Sequence, residues 1–151
     1  MINIQRFRHV ALVVRDLDRM VEFYTRLLGL KLKRTFEIES EEFRKGIGVE
    51  DAKAKGVHLM VPDSNVEIEL IQFDQSENEE TSVANMTGYR HIAFIVDDLE
   101  KSFETLKENG IEFVSEPITV TEPESVRGFQ FVYFRDPEGN IVELNKLPEE
   151  A

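Results

Sequence analysis

A chain of 151 residues with a formal net charge of −12 has room for one generous domain or two small modules, and its charge excludes nucleic acid and anionic membrane as natural partners. Apolar residues make up 41% of it, yet no run approaches the roughly 18 uninterrupted apolar residues of a spanning helix. With no cysteine there is no disulfide, no thiolate ligand and no cysteine nucleophile, so any metal must be held by nitrogen and oxygen.

The opening MINIQRFRHVALVVRD lacks an apolar stretch bounded by small residues, which makes the cytoplasm the expected compartment. Charge is unevenly spread. Residues 1–34 carry eight bases (Arg6, Arg8, Arg15, Arg19, Arg26, Lys31, Lys33, Arg34) against three acids (Asp16, Asp18, Glu22). Such a segment reads as a solvated helix face with a lysine-protected edge strand, or as a region that steers an anionic small molecule.

In chain order, the first element is the short, β-branched run His9–Val14, which suits a strand. Asp16 then stands at an N-cap position, and apolar residues follow at helical spacing: Leu17, Met20, Val21, Tyr24, Leu27 and Leu28. Gly29 ends the helix, and a strand is expected over 30–38. Residues 41–55 are ambiguous, with a helical turn before Gly46 and a loop through Gly48. Strands are expected over 57–61 and 66–73, separated by the turn Pro62-Asp63-Ser64-Asn65.

The pattern then repeats. Arg8-His9-Val10-Ala11-Leu12-Val13-Val14-Arg15-Asp16-Leu17-Asp18 aligns without a gap on Arg90-His91-Ile92-Ala93-Phe94-Ile95-Val96-Asp97-Asp98-Leu99-Glu100. A second capped helix with Leu99, Phe103 and Leu106 on one face ends at Gly110. Strands are expected at 111–114, 129–135 and 140–146, the last two flanking the turn Asp136-Pro137-Glu138-Gly139. The expected division is a first βαβββ module over 1–74, an acidic linker over 75–88, a second βαβββ module over 89–147 and a tail over 148–151. The fold class is α+β. A module of some 70 residues buries too little surface alone, so the two are expected to form a curved, partly open barrel of mixed β-sheet with helices outside.

Strand alternation places His9 with Ala11 and Val13, away from the helix-packed face of Val10, Leu12 and Val14. His91 shares its face with Ala93 and Ile95 in the same way. In the closing strands Glu67, Glu69 and Ile71 lie on one face, and Ile141 and Glu143 on the other module's equivalent. A carboxylate among isoleucines needs a partner, because a lone buried charge is strongly unfavourable. One divalent metal ion, whether Zn, Ni, Co, Mn or Fe, is a fitting partner for two imidazoles and two carboxylates. Glu67 and Glu69 compete for one ligand position, and Glu69 is preferred because it precedes Leu70 as Glu143 precedes Leu144. His58 has no evident counterpart in the repeat and reads as structural.

Four segments carry a family resemblance: Arg-His-Val-Ala-Leu-Val-Val-Arg-Asp-Leu, Phe-Tyr-Thr-Arg-Leu-Leu-Gly-Leu, Ile-Glu-Leu-Ile-Gln-Phe and Phe-Arg-Asp-Pro-Glu-Gly-Asn-Ile-Val-Glu-Leu. Together they make nearly the whole chain resemble the glyoxalase and bleomycin-resistance group of the vicinal oxygen chelate superfamily. The resemblance implies paired βαβββ modules and a metal held by His9, Glu69, His91 and Glu143. It further implies proton transfer next to a carbonyl, as in lactoylglutathione lyase, with Glu143 as the base and Glu69 as second candidate. Methylmalonyl-CoA epimerase-like isomerisation is the alternative, in which Glu39, Glu41 or Glu42 would supply a base if that segment covers the site. A non-catalytic small-molecule binding or resistance protein and a ring-cleaving Fe(II) oxygenase are further readings. The partner is expected to be a small, anionic substrate that could use Lys31, Lys33 or Arg34, and the expected assembly is a homodimer.

Overall fold

The computed structural model of the chain describes residues 2, 5–76, 84–85 and 87–148; most of the expected linker, and the tail beyond 148, lie outside them. The chain divides into two compact units, Met1–Asn78 and Glu79–Ala151. Among the described residues there are two four-stranded mixed sheets and three α-helices, arranged as βαβββ in each unit. None of these helices is long and apolar enough to cross a membrane.

In the first unit, strand β1 (His9–Val13) leads to helix α1 (Leu17–Glu22). The Asp16 carboxylate accepts the Arg19 amide at 3.1 Å, satisfying one of the free donors at the helix start. A further tie comes from the Leu17 amide, which donates to Gln72 at 3.1 Å. The helix continues as a π turn over Phe23–Leu27, closed by the Leu28 amide on the Phe23 carbonyl at 3.3 Å. This wider turn accommodates burial of two adjacent rings, Phe23 and Tyr24, beside Leu17 and Met20. Gly29 then takes φ +75°, a left-handed conformation that a side chain would disfavour.

Strand β2 (Lys31–Ile38), helix α2 (Glu41–Ile47), strand β3 (Ala54–Met60) and strand β4 (Glu67–Phe73) complete the unit. The segment that was ambiguous in the sequence is thus a helix, held at its start by Ser40, whose hydroxyl accepts the Phe43 amide at 3.1 Å. The sheet order is β1-β4-β3-β2, with β1 parallel to β4 and the other pairs antiparallel. One extra residue in β2, between Leu32 and Arg34, breaks the regular register with β3. In β1 the alternation holds, with Val10 and Leu12 half-buried, Val14 fully buried, and Ala11 and Val13 exposed.

The second unit repeats the order with strand β5 (His91–Ile95), helix α3 (Leu99–Glu108), strand β6 (Ile118–Thr119), strand β7 (Gln130–Arg135) and strand β8 (Ile141–Lys146). Its sheet runs β5-β8-β7-β6, with β5 parallel to β8. Asp98 caps α3 by accepting the Lys101 amide at 3.0 Å, and Leu99, Phe103 and Leu106 are buried as their spacing predicts. The strand expected at 111–114 is reduced to an isolated bridge, Phe113 to Phe134, and the outer strand re-forms only at Ile118. Pro117 explains the interruption, since it carries no amide hydrogen for the ladder.

Two positions have a cost that can be measured. A Cβ on Gly56 would lie 2.5 Å from the Phe36 ring and 2.6 Å from the Leu70 carbonyl oxygen. Gly56→Ala should therefore lower unfolding free energy by about 1–3 kcal/mol in urea titrations, and an unchanged midpoint would contradict this packing. The buried Asp136 carboxylate accepts the Glu138 and Asn140 amides at 3.0 and 2.9 Å and the Asn140 side-chain amide at 2.8 Å, closing the β7–β8 turn. Asp136→Ala should cost about 2–3 kcal/mol by the same measurement.

Candidate metal centre

Paired residues in adjacent strands put their side chains on the same face of a sheet. In the first unit the parallel register sets His9 opposite Glu67 and Ala11 opposite Glu69, while the antiparallel register sets His58 opposite Glu69 and Arg34 opposite His58. His9, His58 and Glu69 consequently gather with one potential ligand atom each, all within 4.8 Å of one another. The His58 ring is almost fully buried. Its Nδ1 lies 2.8 Å from Glu67 Oε2, and its Nε2 lies 2.8 Å from Glu69 Oε2 and 3.0 Å from Arg34 Nη2. Lys33 Nζ donates to Glu67 Oε1.

The irregularity in β2 has a consequence here. Successive residues of a regular strand point to opposite faces, yet Lys33 and Arg34 both reach the same cluster. A β-bulge provides that freedom. It supplies two cations to a face that already holds two carboxylates.

Burial holds the His58 ring below its ordinary pKa, and the Arg34 guanidinium adds to that; the charges of Glu69 and Glu67 pull the other way without reversing it. Glu67 is held below the ordinary carboxylate range, first by its hydrogen bond with Lys33 and further by the lysine's charge and by His58. A neutral His58 that gives its Nδ1 hydrogen to Glu67 presents a lone pair at Nε2. His9 stands edge-on to His58 with ring centroids 5.5 Å apart. Its Nδ1 is buried and has no hydrogen-bond partner in the structure.

In the second unit the register sets Ala93 and Tyr133 opposite Glu143, and His91 opposite Ile141. His91 Nε2 is 3.2 Å from Glu143 Oε2. With its amide nitrogen turned toward the carboxylate, Asn145 donates to Glu143 Oε1 at 2.8 Å. Tyr133 packs edge-on against His91, its centroid 5.4 Å away. Burial raises the Tyr133 hydroxyl above its ordinary pKa, reinforced by the charge of Glu143 and by the hydrogen bond to it.

Thus His9 lies with Glu69 in one unit and His91 with Glu143 in the other, each glutamate opposite an alanine two residues beyond the histidine. The donor chemistry fits a divalent cation. Imidazole nitrogens and carboxylate oxygens are an ordinary set for one, and the buried His9 Nδ1 without a hydrogen-bond partner is a polar atom in want of one. Glu67, the competing candidate, is committed to Lys33 and His58. Glu39 is paired with Lys53 at 2.5 Å and Arg44 at 3.6 Å, whereas Glu41 and Glu42 form the first turn of α2.

His58 is the residue that sequence reasoning undervalued. It does have a counterpart: it faces Glu69 across the β3–β4 hairpin as Tyr133 faces Glu143 across β7–β8. Counting back from each glutamate through its turn would have found both.

The chain belongs to the Glyoxalase/Bleomycin resistance protein/Dioxygenase superfamily, whose sequence model matches residues 6–144. It is 33% identical over 144 residues to a lactoylglutathione lyase of Arabidopsis thaliana, covering 93% of this chain and 44% of that one. It therefore spans less than half the length of that relative. It is 27% identical over 147 residues to a 2-epi-5-epi-valiolone epimerase of an Actinomyces species, covering 95% of this chain and 80% of the epimerase. A crystal structure of a glyoxalase family protein from Bacillus cereus matches with a TM-score of 0.83 at 26% identity, over 97% of this chain and 96% of that one. Enzymes of the lyase and epimerase types are thus among its relatives.

The depressed Glu67 carboxyl has a readable effect on stability. A folded-state pKa below the unfolded value of about 4.3 contributes stability that is present above that value and lost as pH falls through the folded one. Lys33→Met removes the largest cause, so the Glu67 carboxyl should titrate higher in carbon-13 NMR of the metal-free protein. The variant should also lose less stability between neutral and acid pH than wild type; identical acid limbs would contradict the Lys33–Glu67 assignment.

Proposed function

We propose that this protein is a metal-dependent lyase or isomerase that moves a proton next to a carbonyl, in the manner of lactoylglutathione lyase. The observation that supports it most is the duplicated pairing of histidine and glutamate, His9 with Glu69 and His91 with Glu143, in equivalent registers of two units. On this reading each pair offers its imidazole nitrogen and carboxylate oxygen to a divalent cation. When bound, the cation polarises a substrate oxygen and offsets the negative charge that develops as the proton leaves.

Glu143 is the proposed base. Its carboxylate is surrounded by uncharged donors, the Tyr133 hydroxyl and the Asn145 amide, besides His91. These donors orient the carboxylate toward a bound substrate without engaging a lysine or arginine among the described contacts. The proton is taken from carbon and returned by the same carboxylate to the neighbouring carbon in a lyase, which balances the transfer without another donor. The relative that is an epimerase favours a second reading, in which Glu69 acts as a further acid or base and the proton returns to the same carbon from the other side. A small anionic substrate would find Lys33 and Arg34 on the sheet face of the first unit. The chain is read as a cytoplasmic homodimer.

The test is metal binding followed by turnover. Purified protein reconstituted with Ni, Co or Zn should bind the ion and convert either the methylglyoxal–glutathione hemithioacetal or methylmalonyl-CoA. Glu143→Gln should retain the ion while kcat falls by about 10²–10⁴-fold. A wild-type protein that binds none of the three ions would overturn the proposal.

A further inference from the structure

We propose that His58 is a metal donor in its own right, so that the first unit supplies three ligands, His9, His58 and Glu69. The inference rests on the metal reading above and extends it to a residue outside the four-residue set.

A neutral imidazole has one N–H and one lone pair. Arg34 Nη2 can only donate and lies 3.0 Å from His58 Nε2, so in the neutral ring the hydrogen belongs on Nδ1, 2.8 Å from Glu67 Oε2. Glu67 is itself held by Lys33. This chain of a cation, a carboxylate and an imidazole is the arrangement that fixes a ligating histidine in the correct tautomer and raises its basicity. The Nε2 lone pair then faces Glu69 Oε2 at 2.8 Å. Two acceptors at that separation repel unless a cation lies within reach of both. Arg34 Nη2, 3.0 Å from Nε2, already meets part of that demand. It marks the lone pair as an acceptor, and it does so from an exposed side chain that can swing away.

His9 completes the set. Its ligand atom lies within 4.8 Å of those of His58 and Glu69, and its buried Nδ1 is without a partner. Burial alone could account for a hydrophobic residue at position 58, but not for an imidazole with its Nδ1 hydrogen committed to a lysine-held carboxylate.

Untagged wild-type protein loaded with one equivalent of Cu(II) should show one more coordinated imidazole than folded His58→Gln by electron paramagnetic resonance and electron spin echo modulation; an equal count would overturn the proposal. Chelator competition for Co(II) and Zn(II) gives an independent arm. His58→Gln should weaken affinity by about 100-fold and Glu67→Gln by about 10-fold, with circular dichroism confirming that both are folded. Arg34→Met should strengthen it several-fold, because it removes a competing donor and a like charge. A merely structural His58 predicts an equal imidazole count in wild type and His58→Gln, and unchanged affinity in folded His58→Gln. A wild type that binds metal with the same imidazole count as His58→Gln refutes His58 alone; one that binds none refutes the proposed function as well.

Discussion

The parallel pairing of the first and last strands of each unit is the constraint on which the site depends. The chain leaves β1 through a helix, crosses to the far edge of the sheet and returns by two antiparallel steps to lie beside β1 as β4; β5 and β8 do the same. Each closing strand therefore carries its glutamate to a fixed height against the opening strand. Ala11 and Ala93 stand at that height, opposite Glu69 and Glu143. A small side chain there leaves room for the histidine two residues earlier and the glutamate across the ladder to approach one another. The other faces of β4 and β8 are filled by Ile68, Leu70, Val142 and Leu144, which anchor the register: a slip of one residue would exchange these apolar side chains with the carboxylates.

The two glutamates are equivalent in register and different in company. Glu69 belongs to a charged network in which Lys33, Glu67, His58 and Arg34 are linked side chain to side chain. Glu143 is attended by Tyr133, Asn145 and His91, with no lysine or arginine in the described contacts. The repeated strand order gives both the same geometry, and the neighbouring strands give each its own company of charges and hydrogen bonds.

The β-bulge in β2 connects fold to site most directly. Without the extra residue, Lys33 and Arg34 would project from opposite faces, and Glu67 and His58 could not both be met from the same edge of the sheet. The basic segment 1–34 is thus more than a solvated surface. Two of its eight bases are drawn into the cluster that surrounds His58.

Much of this was legible in the residues. The internal repeat, the capping aspartates Asp16 and Asp98, the helix faces and the turn at Asp136 are set by local preferences and short periodicities, and the structure shows them within a residue or two. The membership of His9 and Glu69 in one face, and of His91 and Glu143 in another, follows from alternation along single strands. Alternation could not separate Glu67 from Glu69, since both share a face; only the contacts from Lys33 and His58 distinguish them. Nor could it show that His58 and Tyr133 occupy equivalent places, that Pro117 would shorten the outer strand of the second sheet, or that β2 would bulge. Side-chain parity is a property of each strand and can be read from order alone. Register, bulges and the choice of partner are properties of pairs of strands far apart in the chain, and they are decided only when backbone hydrogen bonds and buried apolar faces are satisfied together.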